Sequence, residues 1–167
     1  MPGMRTLPLL ALILALAACR RAPLPEPVHL SLPRAVEGTP YSIQAGKGEA
    51  TIVFFFSTWC VLCQAMEPFV AEAARRGRAE GIEVIAIALD KEGRQTVAPY
   101  VAAVQPPYPV LVGGAAIAEG RSAFGRIAEL PSVIFLDGEG RPAALVSGVA
   151  DTEMLLDRAR EVRGRTR

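Results

Sequence analysis

Lysine is almost missing from this chain of 167 residues: Lys47 and Lys91 are the only two, and the other cations are scattered arginines. The formal net charge is +1, so no basic surplus exists to hold a phosphate backbone, and nucleic acid is excluded as a partner. Histidine occurs once, as His29, in a proline-rich stretch where an exposed, non-ligating side chain is the ordinary expectation. Aromatic residues make up 6% of the chain, and half of the six phenylalanines stand together at 54 to 56. Cysteine is limited to Cys19, Cys60 and Cys63. A structural zinc site needs four ligands, and the second half of such a site is lacking. Nothing in the sequence asks for a cofactor or a resident metal.

A long apolar run occurs at the start, from Leu7 to Ala18, broken by Pro8 and preceded by Arg5. It is too short to cross a hydrocarbon core of ~30 Å but fits the apolar region of an export signal. The run ends Leu16-Ala17-Ala18-Cys19, which resembles a bacterial lipoprotein signal and implies that Cys19 becomes an acylated N-terminus. The alternative is an ordinary signal cut after Ala18, which leaves Cys19 as an odd, oxidisable thiol. Arg20 and Arg21 follow, not the Asp that favours inner-membrane retention in lipoproteins of this kind, so either membrane remains open. Residues 1–18 therefore read as a lipoprotein signal peptide. Residues 19–37, with Pro23, Pro25, Pro27 and Pro33, read as a semi-stiff tether. Residues 38–167 read as one folded domain on the periplasmic side of a bacterial membrane.

Within that domain, Tyr41 to Gln44 reads as a short strand and residues 45–49 as a turn. Thr51 to Phe56 has no polar alternation, which predicts a central strand covered on both faces. Cys60 to about Arg76 reads as a helix with a cationic last turn and Gly77 as its stop. Ile82 to Leu89 is a second buried strand ending at Asp90. Thr96 to Val104 reads as a helix, Tyr108 to Val112 as a short strand and Ile117 to Phe124 as a short helix. Ser132 to Leu136 and Ala143 to Ser147 form a hairpin through Asp137-Gly138-Glu139-Gly140. A closing helix runs from Asp151 or Thr152 to about Val162. This order predicts an α/β fold: a mixed central β-sheet flanked by helices on both faces.

The chemistry lies in Trp59-Cys60-Val61-Leu62-Cys63. A strand runs out into a helix that begins at Cys60, where unpaired N–H groups and the positive end of the helix dipole favour a thiolate. Cys63 follows three residues on, deeper and on the same face. Cys60 is thus the candidate nucleophile and Cys63 the resolving thiol, with Trp59 as an apolar wall beside them. A purely structural disulfide is the plainer reading, but a bridge across a two-residue gap constrains the unfolded chain little. A two-thiolate Cu(I) site is chemically possible as well.

Phe56-Ser57-Thr58-Trp59-Cys60-Val61-Leu62-Cys63, with Pro68 following, resembles the thioredoxin superfamily and its TlpA/ResA-type redoxin branch. A second stretch, Leu130-Pro131-Ser132-Val133 to Asp137-Gly138, is similar to that family's cis-proline strand and hairpin. The resemblance implies a thioredoxin-like fold and a membrane-tethered protein disulfide reductase. It also implies a cis Leu130–Pro131 bond against the cysteine pair, with Leu130 backbone open to a bound peptide. Implied partners are exported disulfide-containing proteins, apocytochrome c among them, a membrane donor of thiol electrons, and the lipid membrane through acylated Cys19.

Three positions depart from the family pattern. Phe54 stands where thioredoxin carries a buried Asp, and Leu62 where Pro is common. Met66 holds the place of a family Glu, with Glu67 one residue later. Glu67 is i+4 from Cys63, so its side chain lies on the same face and leans back toward it. It is either a proton handler for Cys63 or a surface residue beside Pro68. Two other activities remain as alternatives: a redoxin-like peroxidase, for which Thr58 is two residues ahead of Cys60 and no suitable Arg is evident, and a Cu(I)-binding carrier.

Overall fold

The structure is a computed structural model that describes residues 25–44 and 49–164; residues 1–18, read above as an export signal, Cys19, the start of the expected tether and most of the expected turn at 45–49 lie outside the described residues. Its elements are β1 (His29–Pro33), β2 (Pro40–Gln44), β3 (Ala50–Phe56), α1 (Val61–Gly77), β4 (Ile82–Ala88) and α2 (Arg94–Val104). They continue with β5 (Val110–Val112), α3 (Gly114–Ala118), β6 (Ser132–Leu136), β7 (Pro142–Ser147) and α4 (Thr152–Arg163). Five strands form the main sheet in the order β5-β4-β3-β6-β7. β4 and β5 run parallel to β3 and to each other, whereas β6 is antiparallel to β3 and to β7.

β3 is central because it can bury both faces. Ile52, Phe54 and Phe56 point into a core built with α1 and α4, which contribute Met66, Val70, Leu155 and Leu156 among others. Val53 and Phe55 point the other way, into a core with Ile85, Ile87, Ile134 and Leu136. That second face is covered by the β1–β2 ribbon and by Ile117 of the short α3, not by long helices. Phe54 and Phe56 stack with ring centroids 5.6 Å apart, and Phe55 meets Phe124 edge-on at 5.2 Å.

Four local readings differ from the structure. His29–Pro33 is a strand paired with β2, although the prolines of residues 19–37 suggested a spacer. Pro33 ends that strand, where a missing donor is tolerated. Val28 is fully buried, and its N–H donates to Gly140 O at 2.9 Å, so the chain joins the body ten residues ahead of Gly38. His29 itself is exposed. At the end of α1, Gly77 stays helical at φ −64°, packed near Ile82 and Leu156. The left-handed stop falls instead at Gly81 (φ 71°), after a turn of tighter helix. α3 covers Gly114–Ala118, earlier than Ile117–Phe124, and α2 starts at Arg94 and contains Pro99. Asp151 is the N-cap of α4, its carboxylate accepting from Met154 N–H at 2.8 Å.

Candidate active site

β3 and β4 leave the sheet side by side. Their last paired residues are Phe56 and Ala88, and Leu89 N–H donates to Phe56 O at 2.8 Å. Beyond that point β3 delivers Ser57 to Cys60, and β4 delivers Asp90. β6 starts at the same end of the sheet, with Ser132 opposite Phe55. The bond just ahead of it, Leu130–Pro131, is cis. Pro131 O accepts from Gly148 N–H at 2.9 Å, which ties this segment to the loop after β7.

Cys60 and Cys63 form a disulfide with Cα atoms 5.2 Å apart. Cys60 is the N-cap of α1, in extended conformation, and its Sγ accepts the Cys63 N–H at 3.2 Å. The first turn of α1 contains no acidic residue. Orphan N–H groups and the helix dipole therefore act on this sulfur without a carboxylate in that turn to oppose them. Cys60 is 7% exposed and Cys63 2%, so the outer sulfur belongs to Cys60. Trp59, Val61 and Leu62 stand out in solvent around it, Trp59 at 71% exposure. Three exposed apolar side chains thus flank the bridge in the chain.

The turn ahead of Cys60 is held by four side-chain hydrogen bonds, all on Thr58. Its N–H donates to both carboxylate oxygens of Asp90 at 3.1 Å, and its Oγ1 donates to Asp90 Oδ1 at 2.5 Å. Its carbonyl accepts from Gln64 Nε2 at 2.7 Å. Asp90 is only 1% exposed. Ser57 is equally buried, and its Oγ has no hydrogen-bond partner among the described residues.

Glu67 is half-buried, one turn beyond Cys63. Its Oε1 accepts the Tyr108 hydroxyl at 3.3 Å. Both line a small apolar cavity with Phe54, Phe56, Tyr100 and Val110. Burial pushes the Tyr108 hydroxyl well above its usual acidity range, and the Glu67 charge and hydrogen bond add to this. Tyr100 is raised in the same way, by burial first and then by Glu67 and Asp90. The Phe54 position, where thioredoxin has its Asp, is 2% exposed and filled by the stacked ring.

Sequence reading placed Trp59, Cys60, Cys63, Glu67, Leu130 and Pro131 on elements that converge at one end of the sheet. It missed Asp90, Gln64 and Tyr108. Asp90 had one signal, a carboxylate at the carboxyl end of a buried strand, which is where α/β folds put their ligands and reactive groups.

An α/β sheet of this topology, with a disulfide at the N-terminus of its first long helix, defines a thiol–disulfide oxidoreductase of thioredoxin-like fold. The redoxin family profile matches residues 21–153, and the chain belongs to the redoxin family. It is 26% identical over 122 residues to the thiol-disulfide oxidoreductase ResA of Bacillus cereus, covering 72% of this chain and 67% of that protein. A thiol:disulfide interchange protein of the thioredoxin family from Chlorobium tepidum superposes with a TM-score of 0.72 at 24% identity, covering 86% of this chain and 99% of that one. The exposed lipoprotein thioredoxin Etrx1 of Streptococcus pneumoniae superposes with a TM-score of 0.69 at 20% identity, over 80% and 98% of the two chains.

Proposed function

We propose that the protein is a membrane-tethered reductase of disulfides in exported proteins, working through Cys60 and Cys63. The observation that carries the choice of Cys60 as the attacking sulfur is its N-cap position, where Sγ already accepts a backbone N–H from Cys63; the reducing direction rests on the family resemblance. The same donor and the helix N-terminus lower the energy of a Cys60 thiolate once the bridge is reduced. That thiolate attacks one sulfur of a substrate disulfide, expelling the other as thiolate and leaving a mixed disulfide. Cys63 loses its proton and attacks Cys60 Sγ, which releases the second substrate thiol and restores the bridge. Two electrons pass to the substrate; a membrane donor of thiol electrons returns them.

Glu67 handles the Cys63 proton in this scheme, since i+4 spacing puts both on one helix face. The cis segment Leu130–Pro131 receives the substrate backbone in strand fashion, and Trp59 walls the site. Apocytochrome c, whose cysteines must be reduced before haem attachment, is the substrate that the family resemblance favours. Location outside the cytoplasm rests on the signal-like run ending at Cys19, and on relatives described as an exposed lipoprotein thioredoxin and a secreted thiol-disulfide isomerase. Lipid on Cys19 supplies the tether. The peroxidase alternative loses its donor, because Thr58 Oγ1 is committed to Asp90.

Equilibration with glutathione tests the direction of electron flow. A reductase falls near the reducing end of the roughly −270 to −120 mV range of such folds. A value at the oxidising end would make the protein an oxidant. Metabolic labelling with a fatty acid that fails to mark the wild-type chain, or marks Cys19→Ser equally, would remove the lipid tether.

A further inference from the structure

Asp90 is a carboxylate buried to 1% exposure, and among the described residues its side-chain hydrogen bonds all come from Thr58. Burying a carboxylate is unfavourable unless it is well hydrogen-bonded. A loop tie alone needs no charge, because an amide or a hydroxyl would hold Thr58 as well. Both Asp90 oxygens accept, sharing the one Thr58 N–H between them. Thr58 is also held from the far side by Gln64, whose own N–H donates to Cys60 O at 3.1 Å. Between them, Cys60 N–H closes a turn on Ser57 O at 3.0 Å. The chain from Asp90 to Cys60 is therefore a short, fully bonded path.

We propose that Asp90 is a positioning residue for the redox couple: through Thr58 it fixes the turn that presents Cys60, and its negative charge disfavours the Cys60 thiolate, biasing the pair toward the disulfide. The bias makes the couple more reducing, which is the property a reductase needs. The equilibrium concerned is protein disulfide plus two glutathione thiols giving protein dithiol plus glutathione disulfide, with two electrons and two protons passing to the protein. At neutral pH part of that gain is released again when Cys60 ionises. A nearby carboxylate suppresses this ionisation, so the dithiol side is less favoured. Titratable groups near this corner include Glu67 on α1, Tyr100 on α2 and Tyr108 before β5, and Lys91 and Glu92 follow Asp90 in the chain. Both tyrosines stay neutral because their hydroxyls are raised, and Glu67, Lys91 and Glu92 are unchanged in the variants below.

The inference rests on Cys60 and Cys63 being the redox pair. The test uses the full chain with both cysteines present and measures two quantities: the Cys60 thiol pKa by pH-dependent alkylation, and the equilibrium with glutathione. Asp90→Asn keeps an oxygen for Thr58 and removes the charge. It is expected to lower the thiol pKa and to shift the equilibrium toward the dithiol by about two- to tenfold, or about 9–30 mV at 29.6 mV per decade. Thr58→Val keeps the charge but removes the hydroxyl that partly neutralises it. It is expected to shift both quantities the opposite way, and Thr58→Ser is expected to restore them. If both substitutions lower thermal stability and leave the pKa and the equilibrium unmoved, Asp90 is only a loop tie and the proposal is overturned. Shifts in the same direction overturn the charge effect. Should Asp90→Asn not fold, the Thr58 pair carries the same decision. Activity surviving in Cys60→Ser would instead defeat the redox-pair reading itself.

Discussion

The Tyr108 hydroxyl donates to Glu67 at 3.3 Å inside a small apolar cavity that also contains the stacked Phe54 and Phe56. Glu67 belongs to the cysteine helix itself, and Tyr108 comes from the segment just before β5. The strand position next to them in this cavity is Phe54, filled by its ring rather than by an acid.

A first consequence concerns alkaline stability. Tyr108 is raised well above its ordinary value of 10.0, chiefly by burial and then by Glu67. In the unfolded chain it loses its proton near pH ~10, while the folded protein keeps it. Its stabilising contribution is thus complete below that pH and is lost as pH rises further, because the unfolded state then binds fewer protons. Tyr108→Phe is expected to flatten the fall of stability with pH above about 10.5 by close to one proton, or ~1.4 kcal/mol per pH unit. Denaturant unfolding across that range measures it. An unchanged slope would contradict the buried, protonated tyrosine.

The second concerns proton handling at Cys63. Glu67→Gln keeps the acceptor oxygen for Tyr108 but cannot take a proton. Resolution of the mixed disulfide is expected to slow about a hundredfold, the low end of what general acid–base groups contribute. Single-turnover release of substrate thiol follows this step directly. A loss of less than about threefold would leave Glu67 as a cavity-lining residue without a chemical role.

The third concerns the core beneath the site. Phe54 is 2% exposed and stacks on Phe56. Phe54→Ala is expected to cost about 3–5 kcal/mol of stability by chemical denaturation. A cost below ~1 kcal/mol would mean that the cavity under α1 collapses around the missing ring, and that the ring does not set the floor of the site.

Much of this was legible because β3 is extreme: six β-branched or aromatic residues in a row from Thr51 leave no face for water. The hairpin was legible from its Asp-Gly turn, and the cysteine pair from its spacing and its place between a strand and a helix. What escaped was non-local. Nothing about Asp90 in the chain says that it reaches Thr58, since 32 residues separate them and only parallel pairing of β3 with β4 brings the two strand exits together. Tyr108 and Glu67 are joined by the same kind of long-range packing. His29–Pro33 read as a spacer because Pro23, Pro25, Pro27 and Pro33 outweighed Leu30 and Leu32, whose half-buried and buried side chains meet the sheet. At the end of α1, Gly77 looked like a stop, but its missing Cβ serves close packing near Ile82 and Leu156.

The most direct measurement of the central claim is the rate at which the Cys60→Ser protein reduces a disulfide-bonded test protein, compared with Cys63→Ser. Cys60→Ser is expected to show no reduction and no covalent capture. Cys63→Ser is expected to accumulate a mixed disulfide through Cys60, visible as an added mass that excess thiol removes. Turnover by Cys60→Ser at the unsubstituted rate would contradict the assignment of Cys60 as the attacking sulfur.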